Sequence, residues 1–462
     1  MPRQSKHIDA MTPAEQRATF ALAGIYAMRM LGLFLIFPVF ALYAEHLGGA
    51  TPLLVGVAVG AYGLTQALLQ IPFGMVSDRL GRKPVIVFGL ALFALGSVIA
   101  ALATDVWTVI AGRALQGAGA VAGVVMALLA DLTRESQRTK AMATIGMTIG
   151  LSFAVALMAG PLLDALWGVS GIFWLVAGFA LAGIGLVQWV VPTPQRSAIH
   201  RDAEVVGGQL GAVLRNRELL RLDFGIFALH AVMTSLFLAL PLQLRDAAGL
   251  APIHHWQVYL PALVLAVAVM IPFVVLAERR GRMKGVFLGA IGAVLAAQLG
   301  LSAHAGSALA IAFWVWIFFL GFNLLEATLP SLVSKIAPAA AKGTAMGIYA
   351  TAQFAGAFLG GVGGGLAHQH HGLVGVFTFG VVLCAAWLAV AAGMARPRAL
   401  SRRLLAVGPL GEGEAAALTA RLLAVPGVAE AVVVAEEGVA YLKVNEAGLD
   451  QGALDALASA SA

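Results

Sequence analysis

A short charged turn between two long apolar segments carries the clearest chemical signal in the chain. It reads Gly74-Met75-Val76-Ser77-Asp78-Arg79-Leu80-Gly81-Arg82-Lys83, hereafter the motif. Gly81 permits a tight reversal that a side chain would hinder, and Gly74 permits close contact between helices. Asp78, at a helix end, can accept hydrogen bonds from a neighbouring helix N-terminus. Arg82 can form a bidentate salt bridge with a carboxylate, so the motif predicts ion pairing between helix ends.

The motif returns in altered form 200 residues later. Ile71-Pro72-Phe73 reappears as Ile271-Pro272-Phe273, and Val274 stands in the place of Gly74. The second copy keeps Glu278, Arg279, Gly281 and Arg282. Repetition at one long period indicates a membrane transporter made of two related but unequal halves.

Several polar side chains lie inside long apolar segments, where charge is costly and marks function. Glu326 is the best single candidate for a group that loads and releases a proton, with a structural salt bridge or a position at the cytoplasmic mouth as the alternatives. Asn323 shares a helix face with it, because the two residues are three positions apart. His230 is a second titratable candidate, and an interior hydrogen-bonded histidine is its alternative. The candidates for proton coupling and for the substrate cavity are Arg29, Phe34, Arg113, Gln116, His230, Asn323 and Glu326.

The composition is that of a membrane protein. The chain is 60% hydrophobic and 11% charged, whereas a soluble domain carries about 25% charge. The single cysteine, Cys384, excludes an internal disulfide and a cysteine metal cluster. The sequence has no P-loop, metal-ligand cluster or nucleophile motif, so we expect no ATP-driven step, no enzyme activity, no cofactor and no metal. The basic residues fall in short clusters between apolar runs, which favours membrane orientation over nucleic-acid binding.

Twelve apolar segments of roughly 20 residues are long enough to span a bilayer. The first is expected over Thr19–Ala44 and the fourth over Trp107–Ala130. Nearly all of the 29 lysines and arginines fall on the side that holds both termini, which places the termini in the cytoplasm. The predicted units are an N-terminal six-helix half at 1–192, a cytoplasmic linker at 193–217 and a C-terminal six-helix half at 218–396.

The last part of the chain, residues 404–462, changes character. Strands are predicted over Leu404–Val407, Val428–Ala435 and Val439–Val444, with helices over Glu412–Leu423 and about Leu449–Ala458. This β-α-β-β-α order resembles a ferredoxin-like domain. The segment is acidic while the rest of the chain is basic, so we expect it to dock on the cytoplasmic face or to self-associate.

The motif matches that of the major facilitator superfamily at each of its family positions, which are Gly74, Asp78, Arg79, Gly81, Arg82 and Lys83. The terminal ferredoxin-like domain and the segment Asn323-Leu324-Leu325-Glu326-Ala327, followed by Leu329-Pro330-Ser331, resemble the bacterial YajR-like branch of that superfamily. The resemblance covers nearly the whole membrane region. It implies an all-α membrane fold of twelve transmembrane helices in two six-helix halves, plus the small α+β domain.

The resemblance also implies roles for particular residues. Asp131 is the implied partner of Arg82 at the end of the fourth span. Together the residues would latch the halves in an outward-facing state, whereas the alternative is that Arg79, Arg82 and Lys83 only set topology. The implied latch residues are Gly74, Asp78, Arg79, Gly81, Arg82 and Asp131. A central cavity would be lined by the first, fourth, seventh and tenth spans, with aromatic side chains from Phe34, Phe37, Phe237, Phe319 and Phe322.

The function that these features favour is secondary active transport by alternating access, as proton-coupled efflux of a small amphipathic or hydrophobic solute such as a drug. In proton-coupled relatives the arginine at the place of Arg113 tunes a nearby titrating acid, with a structural role as the alternative. Gly160-Pro161 matches the end of an antiporter pattern that the preceding residues fit poorly. Two other functions remain open: an uncoupled sugar or metabolite facilitator, and a non-transporting membrane sensor with the C-terminal domain as its output. The expected location is the bacterial inner membrane, with the lipid bilayer, a small-molecule substrate and protons as partners and no nucleic acid.

Overall fold

The computed structural model describes residues 10–194, 205, 207–279, 282–303, 306–338, 341–395, 401–408, 410–435, 438–445 and 448–461. Helices dominate its first 395 residues. Those of the N-terminal half are α1 (Pro13–Phe34), α2 (Phe40–Ala44), α3 (Pro52–Leu80), α4 (Arg82–Ala101), α5 (Val106–Ala118), α6 (Ala122–Asp131) and α7 (Glu135–Gly185). The linker and the C-terminal half contain α8 (Leu210–Leu214), α9 (Arg217–Asp246), α10 (Trp256–Arg279), α11 (Met283–Ala303), α12 (Ala308–Ile336) and α13 (Lys342–Ala392).

The described helices account for the twelve predicted spans. Within the described ranges, nine helical segments are long and apolar enough to cross a membrane. Two of them, α7 and α13, run for 51 residues and bend at Gly168 (φ 67°) and Gly372 (φ 62°), so each supplies two spans. Glycine occupies both bends because side chains rarely tolerate positive φ. The first helix, α1, supplies the remaining span.

Two spans predicted to be continuous are interrupted. The first stops at Phe34 and resumes at Phe40, with Pro38 in the break. Proline has no N–H to donate to the helical ladder, so the helix breaks beside it. The fourth stops at Ala118 and resumes at Ala122. Interrupted helices in transporters supply unpaired backbone groups near the substrate path.

Glycines bring the two halves into direct backbone contact. A Cβ added at Gly56 of α3 would collide with the carbonyl oxygen of Gly361 of α13, and one added at Gly361 would collide with that of Gly56. Gly365 approaches Gly56 at the same crossing. Small residues allow this approach in membranes, where packing replaces the hydrophobic drive between helices. The crossing ties the second span to the eleventh.

The C-terminal residues form a small α+β domain in the predicted order. Its elements are β1 (Ser401–Ala406), α14 (Glu412–Leu423), β2 (Val428–Val434), β3 (Val439–Val444) and α15 (Gln451–Ser461). The first strand begins three residues earlier than predicted. The sheet order is β1-β3-β2, and both pairings are antiparallel, with Arg402 opposite Lys443 and Glu430 opposite Lys443. Leu418 and Leu422 of α14 and Leu454 of α15 pack on one face of this sheet.

Candidate functional site

A cavity of about 460 Å³ lies between the two halves. Phe34 and Phe37 line its deep part. Its mouth is lined by Asp78 and Arg82 of the N-terminal half and by Lys342 of the C-terminal half. The cavity therefore reaches the end of the bundle that carries the motif, hereafter the motif-bearing end.

The cavity walls differ from those expected. The described lining residues come mainly from α1, α3, α6, α7, α9 and α13, together with Phe37, Arg82 at the start of α4 and Val205 of the linker. The first, fourth and seventh spans contribute as predicted, but the tenth, α12, supplies none of the described lining, whereas the second, fifth and eleventh do. The cause is local packing: Phe153 of α7 lies against α12, with ring centroids 6.0 Å from both Phe319 and Phe322.

The predicted aromatic lining is only partly correct. Phe34 lies in the wall, where it contacts Phe153 edge to face with ring centroids 5.1 Å apart. Phe237, Phe319 and Phe322 are instead buried around Phe153. These three rings fill the interface between the halves because edge and stacked contacts with Phe153 replace contact with a solute.

Methionines are the unexpected feature of the wall. Six of the chain's 14 methionines line the cavity, and they come from both halves: Met30, Met75, Met126, Met142, Met233 and Met346. Methionine is unbranched and polarisable, so it adapts to apolar surfaces of different shapes. The wall is therefore apolar and conformationally adaptable, with a few polar groups such as Gln70 and Gln353.

The opposite end of the bundle is closed, and it is hereafter the sealed end. Phe37 stacks on Phe237 with ring centroids 5.7 Å apart, and Leu42 packs on Leu242. Beyond them Arg245 donates two hydrogen bonds to Glu45, from Nη1 to Oε2 at 2.5 Å and from Nη2 to Oε1 at 2.9 Å. Arg245 also contacts the neighbouring Asp246. The contacts of Phe37 with Phe237, of Leu42 with Leu242 and of Glu45 with Arg245 each join the two halves.

The motif forms a buried network around Arg82. This side chain donates to Ser77 Oγ at 2.7 Å, to Asp78 Oδ1 and to Asp131 Oδ2 at 3.3 Å. Gly81 has φ 91°, a conformation that favours glycine, and it makes the predicted reversal between α3 and α4. The side chains of Arg82 and Asp131 are almost fully buried. All three partners belong to the N-terminal half, so these contacts tie α3 and α4 to α6.

Other motif positions differ from expectation. A Cβ at Gly74 would meet nothing within 4 Å, so the expected close helix contact is wrong, and Gly74 instead lines the cavity. Arg79 is exposed at the end of α3. In the second copy, the side chains of Glu278 and Arg279 and all of Gly281 lie outside the described residues. Arg282 is exposed just before α11.

Two buried arginines of the N-terminal half share one tyrosine. Arg29 donates from Nη2 to Tyr62 Oη at 2.8 Å and to the side-chain oxygen of Gln66. Arg113 lies over the Tyr62 ring at 5.2 Å and donates to Gln116 Oε1 at 2.8 Å. These acceptors lower the cost of burying the two guanidinium groups, while two nitrogens of each have no hydrogen-bond partner among the described residues.

The C-terminal half carries a histidine–carboxylate pair. His230 Nε2 lies 3.6 Å from Glu326 Oε1 and 2.8 Å from Gln353 Nε2, while Nδ1 lies 3.3 Å from the Ile226 carbonyl oxygen. His230 lines the cavity, and Glu326 stands behind it on α12. Asn323 bonds the carbonyl of Phe319 in its own helix at 2.7 Å and does not join the pair.

Sequence reasoning missed several of these partners. A polar stripe runs along the otherwise apolar helix α3, where Tyr62, Gln66 and Gln70 are spaced four residues apart and share one face. This spacing is the sequence pattern that could have identified them. Gln353 and Ser77 had no such signal. Asp223 is a buried carboxyl on α9 with no hydrogen-bond partner among the described residues. Within those residues, no group of three or more histidine, cysteine or acidic side chains is arranged to hold a metal ion.

Comparison with known proteins gives two family matches. Residues 22–361 match the Major Facilitator Superfamily, and residues 409–447 match the YajR YAM domain. The chain is 46% identical over 435 residues to the Inner membrane transport protein YajR of Escherichia coli (strain K12), covering 94% of this chain and 95% of the relative. It is 28% identical over 344 residues to the Multidrug resistance protein MdtH of Edwardsiella ictaluri, covering 73% and 83% respectively.

Solved structures show the same fold at low sequence identity. A bacterial homologue of the human lysosomal transporter Spinster, in an inward-facing and occupied conformation, gives a TM-score of 0.68 at 15% identity, covering 84% of this chain and 98% of that one. The nucleoside transporter NupG gives 0.64 at 13% identity, covering 82% and 98%.

Proposed function

The chain belongs to the major facilitator superfamily, and from that premise we propose that it is a proton-coupled efflux transporter for small amphipathic or hydrophobic solutes. It is a multi-pass protein of the bacterial inner membrane type. The cavity carries the proposal, because it joins an apolar, adaptable wall to a titratable pair at one site between the halves. Alternating access then follows from rocking of the two halves about that site.

The methionine-rich wall supports an apolar substrate. Flexible methionine surfaces repack around different ligands, which is how promiscuous binders accept varied shapes. A sugar would need many fixed hydrogen-bond partners, whereas the wall offers few, among them Gln70 and Gln353. The relative named as a multidrug resistance protein agrees with this substrate class.

We place the motif-bearing end and both termini in the cytoplasm. The clustered lysines and arginines of that side follow the positive-inside rule. In this orientation the cavity opens to the cytoplasm and the Glu45–Arg245 pair closes the outer end, so the arrangement is inward-open. A solute would enter from the cytoplasm or the inner leaflet.

The pair His230–Glu326 is the proposed proton site. In neutral His230, Nδ1–H donates to the Ile226 carbonyl, and Nε2 accepts from the Gln353 amide. A proton arriving at Nε2 turns that atom into a donor, for which Glu326 Oε1 at 3.6 Å is the acceptor in reach. The Gln353 amide must then either break its hydrogen bond to Nε2 or rotate so that its oxygen accepts a hydrogen bond from Nε2. Protonation thus changes contacts among α9, α12 and α13, which links charge to helix position.

The motif network is the proposed latch for the opposite state. Arg82 and Asp131 fix the reversal between α3 and α4, and this places Asp78 at the cavity mouth. Lys342 and the N-terminus of α13 lie across that mouth. When the mouth closes, Asp78 approaches a positive helix end and a lysine, both of which favour a carboxylate. The latch would therefore stabilise the outward-facing state.

The test is flux in proteoliposomes under an imposed pH gradient. Amphipathic fluorescent solutes identified by thermal stabilisation at two pH values serve as probes. We expect solute movement against the proton gradient, and loss of that coupling in Glu326→Gln with solute binding retained. The matched control is Asp164→Asn, an acid-to-amide change on α7 outside the described cavity lining.

Three outcomes would contradict the proposal. If no tested solute responds to the gradient, proton antiport is wrong. Downhill flux that ignores pH would identify an uncoupled facilitator. A protein that binds solutes but moves none would be the membrane sensor. Unchanged coupling in Glu326→Gln would remove that residue alone from the mechanism.

A further inference from the structure

The central strand β3 of the C-terminal sheet is buried on both of its faces. Side chains alternate along β3, and Ala440, Leu442 and Val444 face the domain's own helices. The intervening residues Tyr441 and Lys443 point to the other face, hereafter the outer sheet face. Even so, they are only 6% and 3% exposed. Tyr441 packs on Val434 and Val439 of its own sheet. Leu404 and Val432 on the same face are 40% and 39% exposed, so the cover from outside the domain is local and lies at Lys443.

Lys443 shows what the covering element is. Its Nζ lies 3.0 Å from Glu430 Oε1 on the neighbouring strand and 3.4 Å from the carbonyl oxygen of Ile336. Ile336 is the last residue of α12, and the following Ala337 is fully buried. The outer sheet face thus lies against the C-terminal end of α12.

The chemistry of this contact is specific. The last four carbonyls of a helix have no intrahelical partner, and the helix dipole makes that end negative. A lysine ammonium loses hydration when it is buried and needs acceptors in return. Lys443 finds two, the Ile336 carbonyl and the Glu430 carboxylate. Burial of a lysine at this position is favourable beside a helix C-terminus and would raise the free energy of the folded protein without one.

We propose that the C-terminal domain docks through its outer sheet face on the cytoplasmic end of α12, with Lys443 as the cap of that helix. The docked domain braces α12 in the arrangement seen here. The same helix carries Glu326, ten residues away and roughly 15 Å along the axis. Docking and release would therefore regulate the helix that holds the proposed proton site. Only this consequence for transport rests on the proposed function.

Cross-linking tests the docking without a substrate. Cys384→Ala removes the single cysteine, and Ile336→Cys with Glu430→Cys then places thiols on the two sides of the contact. A short bis-maleimide should join them within one chain of the full-length protein in membranes. The matched control pairs Ile336→Cys with Leu423→Cys, which is exposed at the end of α14 on the other side of the domain. We expect a high yield from the first pair and a low yield from the control.

The charge of Lys443 is tested on the same background, in which Glu430→Cys leaves the Ile336 carbonyl as the acceptor that holds Lys443 in the contact. Lys443→Met should lower the intrachain yield at least about threefold, Lys443→Arg should restore it, and Arg421→Met on exposed α14 should change nothing. Equal yields from the two cysteine pairs would overturn the docking. A product of twice the chain mass in place of the intrachain product would show self-association instead. Loss of docking in Lys443→Met with transport unchanged would overturn the regulatory part alone, and docking that persists in Lys443→Met would overturn the role of Lys443 as the cap.

Discussion

Removing the ion pair at the sealed end should shift the protein toward the state that opens there. Glu45 and Arg245 are 42% and 33% exposed at their side chains, so water screens their attraction. Exposed pairs contribute up to about 1 kcal/mol, and the bidentate geometry of this one places it near the upper limit. Since 1.36 kcal/mol corresponds to a tenfold change, Arg245→Gln should raise the outward-open population about two- to fivefold.

The surroundings of the pair set the conditions of this shift. The shift should shrink in high salt, because salt screens charges that are as exposed as these.

Cysteine labelling measures this population. Gly123 lines the cavity, and a Cβ there meets nothing within 4 Å, so Gly123→Cys in the Cys384→Ala background should be tolerated. An impermeant maleimide applied from the outside reaches it only when the sealed end opens. The labelling rate should rise about two- to fivefold in Arg245→Gln.

Two variants complete the design. Exchanging the charges, Glu45→Arg with Arg245→Glu, should return the labelling rate toward the original value. Arg221→Gln, which breaks a pair with Glu218 at the other end of α9, serves as the control and should leave it unchanged. Equal rates in Arg245→Gln and the parent would refute the idea that this pair holds the outer end closed.

Two further predictions concern stability, read as thermal unfolding in detergent. Arg134 hydrogen bonds lower the pKa of Glu15 from 4.5 to about 2. The stabilisation from a lowered pKa is complete above the ordinary pKa and is lost as the pH falls toward the lowered one. Glu15→Gln should therefore lower the free energy of unfolding by about 1–2 kcal/mol at pH 7, a value reduced for the exposure of Arg134. The stability difference between the variant and the parent should narrow at pH 4, and a constant difference would count against the pair. Gly56→Ala should destabilise the protein by about 1–3 kcal/mol, because the added methyl group collides with Gly361. Gly150→Ala is the control and should leave the stability unchanged, because the space around Gly150 is open. Equal melting temperatures of the two variants would show that the crossing of α3 and α13 is loosely packed.

Local pattern predicted the elements well where one segment suffices. The number of spans, the reversal at Gly81 and the order of the C-terminal elements all follow from runs of apolar residues and from glycine. The break near Pro38 was missed because proline kinks and interruptions look alike in sequence. The break before Ala122 falls beside Gly117 and Gly119, and glycine in a long apolar helix is a weaker sign of a break than proline.

The partners of the charged residues were less predictable. The pairing of Arg82 with Asp131 came from family resemblance, and the structure adds Ser77. Glu326 was chosen for its charge in an apolar helix, but its contact with His230 depends on the rotation of two helices that are far apart in the chain.

The sequence by itself determined that this protein is a duplicated twelve-span membrane transporter with a small α+β domain, because hydrophobic length and a repeated motif are local properties. Only the tertiary structure decided which end of the cavity is open, which side chains line it and what meets Lys443. Those outcomes depend on the rotation and tilt of helices against each other. Such angles arise from the packing of many side chains at once, and no single segment encodes them.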